Sequence, residues 1–189
     1  RLSSIDCVEV DEHFFEILEN DRLMPHLHLS IQSGDAMILK RMKRRHNPED
    51  VNNFIERCRK VRKEITFGAD IIAGFPTENE EMFRNTYNLL NDNQISHLHI
   101  FPFSPKKNTP AARMPQLEKP IIKKRAQDLR LLGDNLLSLV KKNLIDDRKI
   151  LIEELNTHHI SGYDQNYIKH QIPMIGMSLG EIVTKQCSF

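Results

Sequence analysis

Three short polar clusters each end an apolar run. Residues 30–34 read Ser-Ile-Gln-Ser-Gly, residues 70–74 read Asp-Ile-Ile-Ala-Gly, and residues 101–104 read Phe-Pro-Phe-Ser. If the runs are parallel strands, all three clusters lie at strand carboxyl ends, where ligands collect in βα folds. Gln32 and Ser33 offer an amide and a hydroxyl, which suit a sugar's vicinal hydroxyls or an adenine edge. Ser33 equally suits a helix cap. Asp70 is a carboxylate inside an apolar run, expensive there unless paired or used. A ribose hydroxyl or a ligand ammonium would use it, and so would a capped turn or an internal ion pair.

Basic residues cluster in three places. Lys40, Arg41, Lys43, Arg44, Arg45 and His46 crowd one segment, Lys106, Lys107 and Arg113 another, and Lys123, Lys124 and Arg125 a third. Net charge is only +1, so the chain is no polybasic nucleic-acid binder as a whole. Local patches of this kind fit RNA phosphates, although a solvated face is the ordinary origin of such runs. Near the end, Tyr163, Asn166, Tyr167, Lys169 and His170 combine aromatic and basic groups. That mixture can bind RNA by stacking and phosphate contact, or Tyr167 can simply be core. The three cysteines, Cys7, Cys58 and Cys187, form no CxxC and no Cys/His cluster with metal spacing. Cys58 reads as a core thiol, and a reduced, cytoplasmic setting is the expectation.

The elements that must position these residues follow from periodicity. Hydrophobic residues make up 39% and charged residues 28%, a globular rather than a disordered composition. No apolar run approaches membrane-spanning length. Residues 2–5, 26–31, 69–73 and 95–103 read as strands. Asp11 and Asn47 read as helix N-caps, the second followed by Pro48 at the first helical position. Thr77 with Glu80 reads as a capping box for the helix after the third strand. A long helix spans roughly 120–143, with Ile122, Ala126, Leu129, Leu132, Leu136 and Val140 on one face. Strands alternating with helices predict an α/β fold with a parallel sheet. Only four such strands are visible, so the expected edge on the first strand implies a preceding part before Arg1. Residues 150–153, 166–168 and 181–184 read as short strands of a small all-β module. The predicted division is therefore 1–147 and 148–189.

Several of these motifs occur together in one known family. His26-Leu27-His28-Leu29-Ser30-Ile31-Gln32-Ser33-Gly34, followed by Leu39-Lys40-Arg41-Met42-Lys43-Arg44-Arg45-His46, resembles the methylthiotransferases of the radical-SAM superfamily. Asp70-Ile71-Ile72-Ala73-Gly74-Phe75-Pro76-Thr77-Glu78 resembles their next signature. His99-Ile100-Phe101-Pro102-Phe103-Ser104, then Thr109-Pro110-Ala111-Ala112-Arg113-Met114, is most similar to the MtaB branch. Residues 150–153 with 162–167 resemble the start of a TRAM domain, an RNA-binding β-barrel.

The resemblance implies the second half of a radical-SAM βα barrel followed by a TRAM-like module. It implies S-adenosylmethionine and two [4Fe-4S] clusters, with tRNA as substrate and adenosine 37 beside the anticodon as the target. Gln32, Ser33, Arg44 and Asp70 are its implied S-adenosylmethionine residues, Arg44 as a bidentate partner for a carboxylate. Lys106, Lys107, Arg113, Tyr167 and Lys169 are its implied RNA contacts. Methylthiotransferases acting on isopentenyladenosine or a ribosomal protein are alternatives, as is a non-catalytic RNA-binding remnant. There are departures. The family's CxxxCxxC motif is absent, so no cluster ligand is assigned and this chain alone is expected to be inactive. Thr77 and Asn108 stand where Gly is usual.

Overall fold

The computed structural model describes residues 1–189 apart from 145–146, 158, 174–175 and 186–189. Cys187 and part of the predicted tail therefore lie outside the described residues. Four parallel strands, β1 (Leu2–Ile5), β2 (His26–Gln32), β3 (Thr66–Ala73) and β4 (His97–Pro102), form one sheet in chain order. Helices α1 (Glu12–Leu18), α2 (Ala36–Arg41), α3 (Pro48–Val61), α4 (Glu80–Asp92) and α5 (Lys119–Asn143) connect and follow them. A single 3-10 turn, Pro110–Arg113, precedes α5.

Alternation along the strands separates two faces. Leu27, Leu29 and Ile31 of β2, with Phe67, Ala69, Ile71 and Ala73 of β3, share one core with Phe54, Ile55, Leu90, Leu129 and Leu132 of the helices. The opposite face is polar. His26 and His28, then Gly68 and Asp70, then His97 and His99 stand on it in neighbouring strands. The predicted caps at Asp11 and Asn47 are present. Asp11 accepts from the Phe14 backbone N–H, and Asn47 forms a reciprocal capping box with Asp50.

Thr77 and Glu80 do not form a capping box. The N-cap of α4 is Asn79, whose side chain accepts from the Met82 N–H, and the helix starts at Glu80. Thr77 is instead held in the left-handed region at φ 67°, its N–H donating to Pro115 O. Asn108 is left-handed too, at φ 68°. A glycine would occupy either backbone without a Cβ clash.

The second sheet is antiparallel: β5 (Arg148–Leu155), β6 (His159–Tyr163), β7 (Lys169–Pro173) and β8 (Ile182–Lys185), in the order β7-β6-β5-β8. It has its own small core of Ile150, Ile152, Ile160 and Ile172. The strand expected at 166–168 is a turn. The Asn166 N–H donates to Asp164 Oδ1, and Tyr167 adopts φ 65°. Strands β6 and β7 flank that turn instead. Gly162 sits in β6 because a Cβ there would collide with Leu151 O.

Candidate functional site

The turn after β3 is fixed by one buried ion pair. Glu78 is 2% exposed in its side chain and Arg125 8%. Arg125 Nη1 donates to Glu78 Oε1 at 2.7 Å and to Glu78 O at 2.9 Å. Glu78 Oε1 also accepts from the Gly74 N–H at 3.2 Å. Burial pushes the Glu78 carboxyl above its ordinary value, and Arg125 pulls the other way. Gly74 itself needs its freedom: φ is +75°, and a Cβ would meet Ile122 at 2.7 Å. A strand end, a left-handed turn and a helix 47 residues further on are thus locked together. Arg125 does not join an exposed basic patch, as its neighbours Lys123 and Lys124 do.

The segment 40–46 is also largely consumed by pairing. Arg41 reaches Thr77 O, and Arg45 pairs with Glu9. Arg44 Nη2 donates to Asp6 Oδ2 at 3.1 Å and to Ser30 O at 2.8 Å, while its Nε is buried and without a partner. His46 is buried, its Nε2 donating to Ile31 O at 3.0 Å. Gln32 ends β2 half-buried at φ 68°. Ser33 lies behind the turn rather than in it. It is 1% exposed, accepts from the Asp35 N–H and hydrogen-bonds Thr86.

Asp70 sits on the polar face, three residues before the end of β3. Its Oδ1 lies 3.0 Å from His28 Nε2 and 3.1 Å from His99 Nδ1. The carboxylate is thus hydrogen-bonded to two histidines, neither of which sequence reasoning singled out. The signal was the alternation itself. His26 and His28 are two apart, as are His97 and His99, so each pair shares the face opposite the leucines and isoleucines.

At the amino ends of the strands, the second sheet's 164–167 turn closes this face. Asn166 Nδ2 donates to Pro25 O and Glu64 O, and Arg1 donates to Asp164 O. Tyr167 stacks on Tyr163, with ring centroids 4.6 Å apart, and on His26, at 5.2 Å. The Arg1 guanidinium also lies over its ring, 5.0 Å from the centroid. Burial pushes His26 down to about 3 and His97 down to about 4. Asp164 is buried, which alone would raise it. Hydrogen bonds from His170 and the Ile168 N–H, with the Arg148 charge, hold it below the usual carboxylate range. Lys169 is exposed and bonded to Glu154. Lys106, Lys107 and Arg113 are exposed around the loop after β4.

The two described cysteines, Cys7 and Cys58, do not suit an iron-sulfur cluster. Cys58 is fully buried in the core, and burial pushes both it and Cys7 up to about 12.

Residues 3–90 match the radical SAM superfamily. The chain is 50% identical over 165 residues to the threonylcarbamoyladenosine tRNA methylthiotransferase MtaB of Rickettsia prowazekii, covering 86% of this chain and 39% of that protein. It is 35% identical over 192 residues to the MtaB of Thermotoga maritima, covering 96% of this chain and 42% of that one. A solved structure of Escherichia coli coproporphyrinogen III oxidase (HemN), a radical SAM enzyme, aligns with a TM-score of 0.55 at 16% identity over 81% of this chain and 33% of that one. This last likeness concerns the fold alone.

The chain belongs to the radical SAM superfamily. Within it, the chain matches the MtaB branch of methylthiotransferases, and it spans about two fifths of the length of the curated relatives named above. Among the described residues, no helix is long and apolar enough to cross a membrane.

Proposed function

We propose that this chain is the barrel-and-tail portion of an enzyme that places a 2-methylthio group on N6-threonylcarbamoyladenosine at position 37 of tRNA, in the anticodon loop. One observation carries the reading: 50% identity to an MtaB across 165 residues, a span reaching from the parallel sheet into the tail. Residues 1–147 supply part of a radical-SAM barrel and residues 148–189 a TRAM-like module. A cytoplasmic setting follows from the substrate.

S-adenosylmethionine is the expected cofactor, and Arg44 fits it. Its guanidinium is anchored to Asp6 and Ser30 O, yet its buried Nε has no acceptor. A ligand carboxylate would supply one. Gln32, half-buried at the end of β2, is the second contact. The Ser33 hydroxyl and the Asp70 carboxylate have protein partners already, Ser33 with Thr86 and Asp70 with His28 and His99, and are proposed as lesser contacts. Bound to its cluster, S-adenosylmethionine supplies radical and methyl chemistry. The residues here would orient it and keep water from the turn that Glu78 and Arg125 lock. The two [4Fe-4S] clusters do not fit the described thiols, Cys7 and Cys58. Exposed Lys106, Lys107 and Arg113 are the proposed phosphate contacts, with Lys169 at the module's edge. Tyr167, already stacked on Tyr163 and His26, is proposed as a packing residue.

The test is mass spectrometry of tRNA nucleosides from a strain deleted for the gene. Loss of the methylthio group from threonylcarbamoyladenosine, with the unmethylthiolated nucleoside accumulating, is expected. Loss from the isopentenyladenosine family instead would move the assignment to another branch.

A further inference from the structure

The polar face of the sheet brings two histidines and one carboxylate to a point. His28, Asp70 and His99 come from three adjacent parallel strands, and their donor atoms all lie within 4.8 Å of one another. Asp70 Oδ1 is 3.0 Å from His28 Nε2 and 3.1 Å from His99 Nδ1. Four-coordinate zinc, with bonds of about 2.0–2.1 Å, needs donors about 3.4 Å apart. The two Asp70 contacts need only lengthen by a few tenths of an ångström to admit an ion.

The arrangement is built rather than loose. The His28 side chain is 10% exposed and Asp70 26%. A Cβ at Gly68 would collide with His28 Nδ1, so this glycine leaves room for the ring. His99 packs on His28 with ring centroids 4.5 Å apart and is 60% exposed, leaving the cluster open on one side. That side meets a cavity of about 380 Å³ bounded by Arg1, Ser3, Ser4 and Tyr167. The nearby positive charge of Arg1 is committed elsewhere, to Asp164 O and over the Tyr167 ring.

We infer that His28, Asp70 and His99 form a binding site for a borderline divalent cation of the zinc or ferrous class. Two imidazoles and one carboxylate are a donor set such ions favour, with coordination positions left open. Here those positions face the cavity, where water or an oxygen ligand would complete the shell. The inference shares no residue with the proposed Arg44 contact, so the two stand or fall separately.

A second cluster, Asp6, Cys7 and His46, is also compact. Its carboxylate is already paired with Arg44, and burial pushes its thiol up to about 12, so it is the weaker cation host.

The experiment is a Co²⁺ titration of the chelator-stripped chain, followed by visible and near-ultraviolet absorption, with Zn²⁺ competition. Expected is one equivalent bound, with ligand-field bands and no thiolate charge-transfer band. His99→Ala, chosen because His99 is exposed, and Asp70→Asn should each weaken binding about tenfold or more, or 1.4 kcal/mol. Cys7→Ser should leave it unchanged. Circular dichroism and a urea midpoint confirm that each variant is folded. No saturable binding, binding indifferent to His99→Ala, or a thiolate band removed by Cys7→Ser would each overturn the inference.

Discussion

Replacing Arg125 with methionine tests the lock on the β3 turn. The substitution keeps most of the aliphatic packing on Phe83, over which the guanidinium lies at 5.2 Å, and removes the charge. Glu78 then loses hydrogen bonds of 2.7 Å and 2.9 Å while staying 2% exposed. Removing one partner of a buried pair costs about 3–5 kcal/mol, because the other charge is left uncompensated. With a urea slope of about 2 kcal/mol/M, the midpoint should fall by about 1.5–2.5 M at pH 7.

Burial already raises Glu78 above its ordinary value, and Arg125 opposes that rise. Without Arg125 the folded-state value rises further, so the folded chain binds a proton that the unfolded chain does not hold near neutrality. Stability of the variant relative to the parent must then increase as the pH falls from 7 toward 5. Comparing the two proteins at each pH cancels groups common to both. Glu78→Gln combined with Arg125→Met should lose less than the single changes added together. A loss below about 1 kcal/mol at pH 7, or one that grows on acidification, refutes the buried-pair argument.

Two more predictions concern stability. His26 and His97, pushed down to about 3 and about 4, stay neutral when folded, whereas an unfolded histidine takes up its proton near pH 6.5. Stability should therefore fall as pH drops below 6.5, by about 2 kcal/mol from each histidine at pH 5; a urea midpoint flat between pH 7 and pH 5 would contradict it. Thr77→Gly should stabilise the chain by about 1 kcal/mol, since a β-branched residue at φ 67° is strained; a midpoint that drops would show that the Thr77 side chain earns its place.

Local signals were legible where a few neighbouring residues decide the structure. Asn47-Pro48 announces a helix start because side chain and ring both act on the first turn, and α3 begins there. The pattern at β2 is equally local, with leucines to one face and histidines to the other. The capping box at Thr77 failed for a nonlocal reason. Pro115, 38 residues on, accepts the Thr77 N–H and holds it left-handed, so Asn79 takes the cap. The departure from Gly at 77 and at 108 was readable as a clue, since both positions have positive φ. Arg125 looked like one of three basic residues in a row. Its neighbours Ile122, Ala126 and Leu129 mark the inward face, and that spacing alone places it inside.

The candidate sites divide along the same line. Each half of the His28, Asp70 and His99 cluster is a period-two pattern visible in its own strand, but their convergence needs the parallel register that pairs Gly68 with both His28 and His97 and Asp70 with His99. Only once that register is fixed does Asp70 change from a lone costly carboxylate into the centre of a histidine pair. Tyr167 moves the opposite way. Its sequence neighbours Asn166 and Lys169 left it open as a stacking platform or as core. His26, 141 residues away, and Tyr163 both stack on its ring. A residue type names the chemistry a side chain can do, and the partners that topology delivers decide whether it is free to do it.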